Sequence, residues 1–140
     1  NYMIPFGKAR IAKAGADATI VAWGALVQKS IDAAKKVETE TGKSIEVIDL
    51  RTLAPFDMEA ITASLSKTNR ILICHEEHKT SGFAGEIAAR INEECFESLD
   101  APILRVGAKD THVAYCPDLE DVILPQVGDI YAELQKLLQY

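Results

Sequence analysis

The chain has 140 residues, of which 48% are hydrophobic and 26% charged, enough to build one ordinary globular domain with a full apolar core. Its formal net charge is -6 and no stripe of Lys and Arg occurs, which argues against a nucleic-acid-binding protein, because phosphate backbones require a positive surface. No apolar run approaches the roughly 18 residues of a membrane span, so no membrane-spanning helix is expected.

The cysteines form neither a CxxC pair nor the even-numbered set of a secreted disulfide framework. We therefore expect reduced thiols in an intracellular compartment, and burial of Cys74, Cys95 and Cys116 alike. The first residues lack the pattern of a signal peptide, and the chain starts at Asn1 with its first methionine at position 3. This beginning predicts a piece of a longer polypeptide.

The first third of the chain predicts two strands and a helix. Alternating residues from Lys8 to Lys13 are typical of a half-exposed edge strand, and the apolar run from Thr19 to Trp23 of a central parallel strand. Apolar residues then recur at helical spacing from Ala25 to about Thr41, and Gly42 supplies the residue that ends the helix.

Two further strands follow, at Ile45–Leu50 and Arg70–Cys74, with a short helix between them that Asp57 caps. Ser81 is interpreted as the cap of the next helix.

The last third predicts a strand at Ile103–Val106 and a terminal helix that begins at Pro125. Strands that alternate with helices predict right-handed crossovers with helices on both faces of the sheet. The fold class is therefore α/β, a three-layer αβα sandwich.

Polar residues gather where the predicted strands end, which is the edge where an open parallel sheet binds ligands or partners. The run His75, Glu76, Glu77, His78 follows one strand but is not the HExxH helix motif of zinc proteases. One interpretation is that its carboxylates bond nearby backbone N–H groups or a basic residue such as Lys79. The other is that His75 or Glu76 borders a cleft or a subunit interface.

Asp110 and His112 follow the last strand, in a segment that reads as a long irregular loop and is expected to be functional or packed against another subunit. A lone solvent-facing His112 is the alternative. The chain has no dinucleotide or P-loop motif and no GxSxG elbow. Gly82–Gly85 is a weak candidate for an anion site at a helix start, where close helix packing is the other explanation.

Six segments in family order resemble the carboxyl-terminal domain of transketolase-like thiamin diphosphate enzymes, specifically the beta subunit of the E1 component of 2-oxo acid dehydrogenase complexes. They are IPFGKARIAKAG, ATIVAWGALV, IEVIDLRTLAPFD, KTNRILICHEEHKTSGFAGEIAARI, LDAPILRVGAKDT and LEDVILPQVGDI. They span almost the whole chain.

The resemblance implies a five-stranded mixed sheet of order 1-3-2-4-5 whose first strand is antiparallel to the others. It implies a single domain over residues 1–140, with residues 1–7 as an irregular lead-in from a preceding domain. The chain reversal between the strands that end at Trp23 and Cys74 would bring Gly24 and Ala25 near His75 and Glu76.

In this family the whole E1 enzyme decarboxylates a 2-oxo acid, of pyruvate or branched-chain type, on thiamin diphosphate and passes the acyl group to a lipoyl arm of E2. Thiamin diphosphate and Mg are held by other domains, so this domain is expected to bind neither and to be inactive when isolated. Gly128-Asp129 is followed by Ile130 rather than the glycine of the family's cofactor motif. The implied location is the cytoplasm, or the mitochondrial matrix in a eukaryote.

The implied partners are the E1 alpha subunit or a fused equivalent, a second E1 beta subunit and the subunit-binding domain of E2. Tyr140 is the candidate for E2 docking, through its carboxylate and the acidic residues of that end. The candidates for the subunit interface, or for the layer just behind it, are His75, Glu76, His78, Asp110 and His112. An uncovered apolar interface would make the isolated domain a homodimer.

Two other functions remain open from the residues alone. A stand-alone binding or regulatory module would take an anion near Gly24 and Gly82. An independent enzyme would use His75 or His112.

Overall fold

The computed structural model describes residues 3–140. The strands are β1 Arg10–Lys13, β2 Ala18–Ala22, β3 Ile45–Asp49, β4 Ile71–His78 and β5 Leu104–Ala108. The α-helices are α1 Leu26–Thr41, α2 Met58–Thr68, α3 Ala84–Cys95, α4 Pro117–Ile123 and α5 Val127–Leu137, and a short 3-10 helix spans Phe96–Ser98.

The strands form one mixed sheet in the order β1-β3-β2-β4-β5. β1 runs antiparallel to β3, with Ile11 opposite Ile48, and the other neighbours are parallel. The predicted strand order and the antiparallel edge strand are confirmed. Residues 3–7 of the predicted lead-in contain neither helix nor strand, and residues 1 and 2 lie outside the described part.

The apolar core lies in two layers, one on each face of the sheet. α1 and α5 cover one face, where Ile20, Leu72 and Leu134 belong to the same buried cluster. α2 and α3 cover the other face. β2 is buried along its whole length, which explains why its sequence is continuously apolar instead of alternating. The predicted three-layer αβα sandwich is therefore confirmed.

Two predicted helix ends are confirmed. Gly42 ends α1 with φ of 73°, and its N–H group donates to the carbonyl oxygen of Glu38. The Asp57 carboxylate accepts a hydrogen bond from the N–H group of Ala60 at 3.2 Å and so caps α2.

The predicted start of α3 was wrong. Ser81 lies before the helix with φ of 60°, and its side chain caps nothing, because α3 begins at Ala84 after Phe83. β4 also continues to His78 instead of ending at Cys74, since a register irregularity after Cys74 lets His78 pair with Ala108.

The predicted irregular loop after β5 contains a helix. α4 occupies Pro117–Ile123, with Pro117 in its first turn, where a missing N–H group costs no hydrogen bond. Pro125, by contrast, precedes α5, which begins at Val127 with a capping box between Gln126 and Asp129. The prediction that Pro125 begins the terminal helix was therefore wrong, and the proline that begins a helix is Pro117, in α4.

Candidate functional site

Aromatic side chains cover the edge of the sheet where the parallel strands end. The Trp23 ring, just after β2, lies with its centroid 5.6 Å from the His75 ring and 6.3 Å from the Phe83 ring. A Cβ placed on Gly24 would lie 3.3 Å from Oε2 of Glu76. The predicted approach of the β2 and β4 ends is therefore confirmed for these residues.

His75 lies behind this edge and is fully buried. Its ring fills a slot between two glycines. A Cβ at Gly82 would come within 2.6 Å of its Cε1 atom, and a Cβ at Gly107 within 2.8 Å of its Nε2 atom. Any side chain at either position would displace the ring, so glycine is required by close approach rather than by backbone conformation.

Neither ring nitrogen of His75 has a hydrogen-bond partner among the described residues. Burial lowers the pKa of His75 below its ordinary value of 6.5, and the nearby Arg105 lowers it further. The Glu77 carboxylate, with its Oε2 atom 3.7 Å from Nδ1, opposes these effects but does not outweigh them. His75 is therefore a neutral packing residue behind the edge.

The side chain of Glu77, near the end of β4, reaches the start of α3, where the sequence offered an anion site. Its Oε2 atom accepts a hydrogen bond from the N–H group of Phe83 at 2.5 Å. This contact agrees with the interpretation that strand-end carboxylates bond nearby backbone N–H groups. Because a protein carboxylate takes this N–H group at Gly82–Gly85, the geometry does not favour an external anion there.

A shallow cleft brings together three of the remaining predicted residues, His78, Asp110 and His112. Nε2 of His78 lies 2.9 Å from the carbonyl oxygen of Thr111, to which it donates in the tautomer that carries its proton there. Asp110 accepts hydrogen bonds from the backbone N–H group and the hydroxyl of Thr80, and the hydroxyl bond holds the pKa of Asp110 below its ordinary value.

A second concavity, of about 290 Å³, lies between the end of β4 and α4. We call it the α4 groove. Its lining residues are Glu76, Glu77, His78, Ala108, Thr111, Val113, Ala114, Glu120, Ile123 and Leu124. Of these residues, only those of β4 were candidates from the sequence. The missed signal was Pro117 followed by apolar residues at Leu119, Val122 and Ile123, which is helical spacing.

Tyr140 lies at the opposite edge from these residues. α5 starts beside Lys29, whose Nζ atom donates to the carbonyl oxygen of Pro125 at 2.9 Å. The carboxyl-terminal end of α5 lies near Thr41 and Lys43, which precede β3. The structure thus brings His75, Glu76, His78, Asp110 and His112 to one edge and leaves Tyr140 at the other.

The chemistry of this edge offers little for catalysis. Within residues 3–140, no group of three or more His, Cys, Asp or Glu side chains is arranged to hold a metal ion. Burial raises the pKa of the Cys74 thiol to about 12, so it is not a nucleophile at neutral pH.

The prediction that all three cysteines are buried was wrong for Cys116, which is exposed just before α4.

The residues present do not fit a thiamin diphosphate and magnesium site. Asp129, the acidic residue of the Gly-Asp pair, accepts a hydrogen bond from the N–H group of Gln126 at 2.8 Å and so serves as a helix cap.

None of the helices described over residues 3–140 has the length and apolar character needed to cross a bilayer.

Comparison with protein families gives a match over residues 7–130 to the family described as transketolase, C-terminal domain. The chain is 50% identical over 111 residues to the mitochondrial 2-oxoisovalerate dehydrogenase subunit beta of Dictyostelium discoideum, covering 79% of this chain and 30% of that protein. It is 40% identical over all 140 residues to the pyruvate dehydrogenase E1 component subunit beta of Bacillus subtilis, covering 42% of that protein. The chain thus spans less than half the length of these relatives.

Solved structures show the same fold. A split-gene transketolase, described as an inactive beta4 tetramer, superposes with a TM-score of 0.86 at 28% identity over 99% of this chain and 44% of that one. A transketolase mutant from Pichia stipitis superposes with a TM-score of 0.61 at 18% identity over 95% of this chain and 18% of that one, which supports the fold alone. The sequence match and the strand order agree, and the chain belongs to the transketolase C-terminal domain family.

Proposed function

We propose that this chain is the carboxyl-terminal domain of the beta subunit of a 2-oxo acid dehydrogenase E1 component, of pyruvate or branched-chain type. The observation that carries the proposal is the identity of 40% to a pyruvate dehydrogenase E1 beta subunit over all 140 residues, together with 50% to a branched-chain relative. In this proposal residues 1–140 form one domain, and residues 1–7 lead in from a preceding one.

The proposed parent enzyme is a thiamin diphosphate-dependent oxidoreductase that decarboxylates a 2-oxo acid and acylates the lipoyl group of E2. Thiamin diphosphate and Mg would supply the decarboxylation chemistry from other domains. This domain would contribute no ligand and no catalytic side chain, in keeping with the capping role of Asp129 and the buried thiol of Cys74. The isolated domain would have no activity.

The proposed role of the domain is assembly with the E1 alpha subunit or a fused equivalent and with a second E1 beta subunit. Glu76, His78, Asp110 and His112 are exposed at the carboxyl edge of the sheet, where they can contact a neighbouring subunit. His75 would support this interface indirectly, because its buried ring packs against Gly82, before α3, and against Gly107, in β5. A homodimer of the isolated domain is the alternative, and it would form through an uncovered apolar interface.

The proposed site of E2 docking is the end of α5. Tyr140 is 62% exposed, and it and the acidic residues of this end would meet basic residues of the subunit-binding domain of E2. A charge contact of this kind orients the two proteins and speeds their association more than it raises their affinity, and salt weakens it.

A domain exchange tests the proposal. This chain would replace the corresponding segment of the Bacillus subtilis pyruvate dehydrogenase E1 beta subunit, and the chimera would be coexpressed with the E1 alpha subunit of that organism. We expect an assembled complex with decarboxylase activity that acylates lipoyl-E2. A chimera that is folded by circular dichroism but does not bind the alpha subunit would contradict the assembly role.

The same chimera separates assembly from E2 docking. Deletion of Tyr140 should weaken E2 binding while assembly with the alpha subunit and decarboxylation continue. The matched control is Gln139→Ala, which keeps Tyr140 in place. Equal E2 binding by the deletion variant and the control would remove Tyr140 from the docking site.

A further inference from the structure

Four large apolar side chains are exposed within ten residues, on and just before α4. Their exposed fractions are 74% for Val113, 102% for Tyr115, 57% for Leu119 and 58% for Val122. Val113 also lines the α4 groove, whose inner wall carries Ile123 and Leu124. Exposed apolar residues scattered singly need no explanation, but a cluster beside a groove marks an interaction site.

Acidic side chains surround this cluster. Asp118, Glu120 and Asp121 come from α4 itself, and Glu76 and Glu77 from the end of β4, and all five are exposed. Over residues 3–140, Glu76 and the three α4 carboxylates form no ion pair within 4.0 Å. None of these four carboxylates is therefore held in an ion pair of the described residues.

The negative charge of this acidic rim limits which binding partners can cover the apolar cluster. A second copy docked face to face would set two groups of carboxylates against each other, and a like-charge contact of this kind costs several kcal/mol. An anionic lipid surface or a nucleic acid would be repelled in the same way. The arrangement of an apolar centre and a charged rim is that of a protein interface.

We propose that the α4 groove and the exposed apolar residues from Val113 to Val122 dock a protein segment that inserts an apolar side chain into the groove and flanks it with Lys or Arg. Apolar contact at the centre supplies the affinity, and the carboxylates at the rim select a basic partner. The proposal rests on the proposed role of this edge as an interface and names the chemistry of the partner. It is separate from the E2 contact, because Tyr140 lies at the opposite edge.

The test uses a fluorescent helical peptide, about 14 residues long, with Leu at i, i+3, i+4 and i+7 spacing and Lys elsewhere. A second peptide has Glu in place of every Lys. Binding to the 140-residue chain is measured by fluorescence anisotropy at two salt concentrations. We expect the Lys peptide to bind about tenfold or more tightly than the Glu peptide, with an affinity that falls as salt rises.

Matched variants locate the apolar contact. Leu119→Ser combined with Val122→Ser should weaken binding of the Lys peptide about tenfold, because both side chains are exposed and their loss leaves the fold intact. Phe96→Ser removes an equally exposed apolar residue, 67% accessible, from another part of the surface and should change nothing.

The charge contact has its own pair of variants. Glu120→Gln with Asp121→Asn should weaken binding and flatten its salt dependence, whereas Glu97→Gln with Asp100→Asn, which removes two exposed carboxylates elsewhere, should not. Cys116 provides an independent readout, because it is the exposed cysteine of the three. A photocrosslinker attached to it should capture the Lys peptide.

Three results would each overturn the proposal. The first is equal binding of the Lys and Glu peptides, which would mean apolar adhesion without charge selection. The second is an equal loss of binding in the Phe96→Ser control, or no capture at Cys116. The third is a dimer in solution that Leu119→Ser dissociates, which would make a second copy the occupant. None of these results bears on assembly with the alpha subunit in the chimera, so the two proposals fail separately.

Discussion

The imidazole of His75 occupies the space that a side chain at Gly82 would need. A Cβ at Gly82 would lie 2.6 Å from Cε1 of the ring, and also 2.2 Å from the carbonyl oxygen of His78. The His75 ring and the His78 carbonyl together therefore limit the residue at position 82 to glycine.

The glycines beside His75 should not tolerate a methyl group. Gly82→Ala and Gly107→Ala each force the ring or the β4 backbone to move, and overpacking of this kind costs about 1 to 3 kcal/mol of unfolding free energy. Urea denaturation measures the effect. Gly128→Ala is the control, since nothing lies near its Cβ and alanine favours a helix by up to about 1 kcal/mol. Unchanged stability in both Gly82→Ala and Gly107→Ala would contradict the close packing.

Protonation of His75 should destabilise the fold. Since its pKa is lowered in the folded state, the unfolded chain binds the proton first as the pH falls below 6.5. Its contribution to stability is complete above that pH and declines below it, by at most about 1.4 kcal/mol per pH unit. Urea midpoints measured from about pH 8 to about pH 5 should fall more steeply in the parent chain than in His75→Asn. Equal slopes would show that His75 does not titrate differently in the two states.

One thiol should react under native conditions. Cys116 is exposed, whereas Cys74 and Cys95 are buried and the Cys74 pKa is about 12. A chromogenic disulfide reagent should therefore titrate a single thiol in the native chain and all three in denaturant. Cys116→Ser should abolish the native reaction. A native signal that persists in this variant would show that Cys74 or Cys95 is accessible.

Loss of the Glu46 charge should destabilise the contact between α2 and the sheet. Burial tends to raise the pKa of Glu46, but hydrogen bonds from Lys67 and Ser64 outweigh it, and the pKa lies below its ordinary value of 4.5. The stabilisation is therefore present above that pH and is lost as the pH falls through the lower folded pKa. Glu46→Gln should cost about 1 to 3 kcal/mol of unfolding free energy at neutral pH, measured by urea denaturation.

The matched control for Glu46→Gln is Glu97→Gln, which neutralises an exposed carboxylate. Its unfolding free energy should stay within about 0.5 kcal/mol of the parent value. If the two variants lose equal stability, the contacts of the buried Glu46 carboxylate with Lys67 and Ser64 are not the cause.

The sheet could be predicted because its strands carry strong local signals. The continuous apolar run of β2 and the alternation of β1 distinguish a central strand from an edge strand by residue pattern alone. The strand order came from the family resemblance rather than from periodicity. Caps such as Asp57 and Gly42 were predictable because their effect is local.

The α4 region could not be predicted in the same way. α4 has seven residues and no buried side chain, so the apolar spacing of Leu119, Val122 and Ile123 covers less than two turns and packs into no core layer.

The burial of His75 depends on Gly107, which is distant in sequence and leaves room for the ring. Cys116 is exposed because no other element among the described residues covers it. Cys74 belongs to one core layer, whereas the adjacent His75 lies beside Trp23, which packs on the other layer, as the two-residue period of a strand requires.

The path of α5 has a mechanical consequence. Its eleven residues rise about 1.5 Å each, so the helix holds the α4 end of the domain and the Tyr140 end roughly 16 Å apart as a stiff rod. Bodies attached at the two ends do not compete for space, and turning one end turns the other with it. Under the proposed function, a spacer of this fixed length would join two neighbouring proteins at once and fix the angle between them.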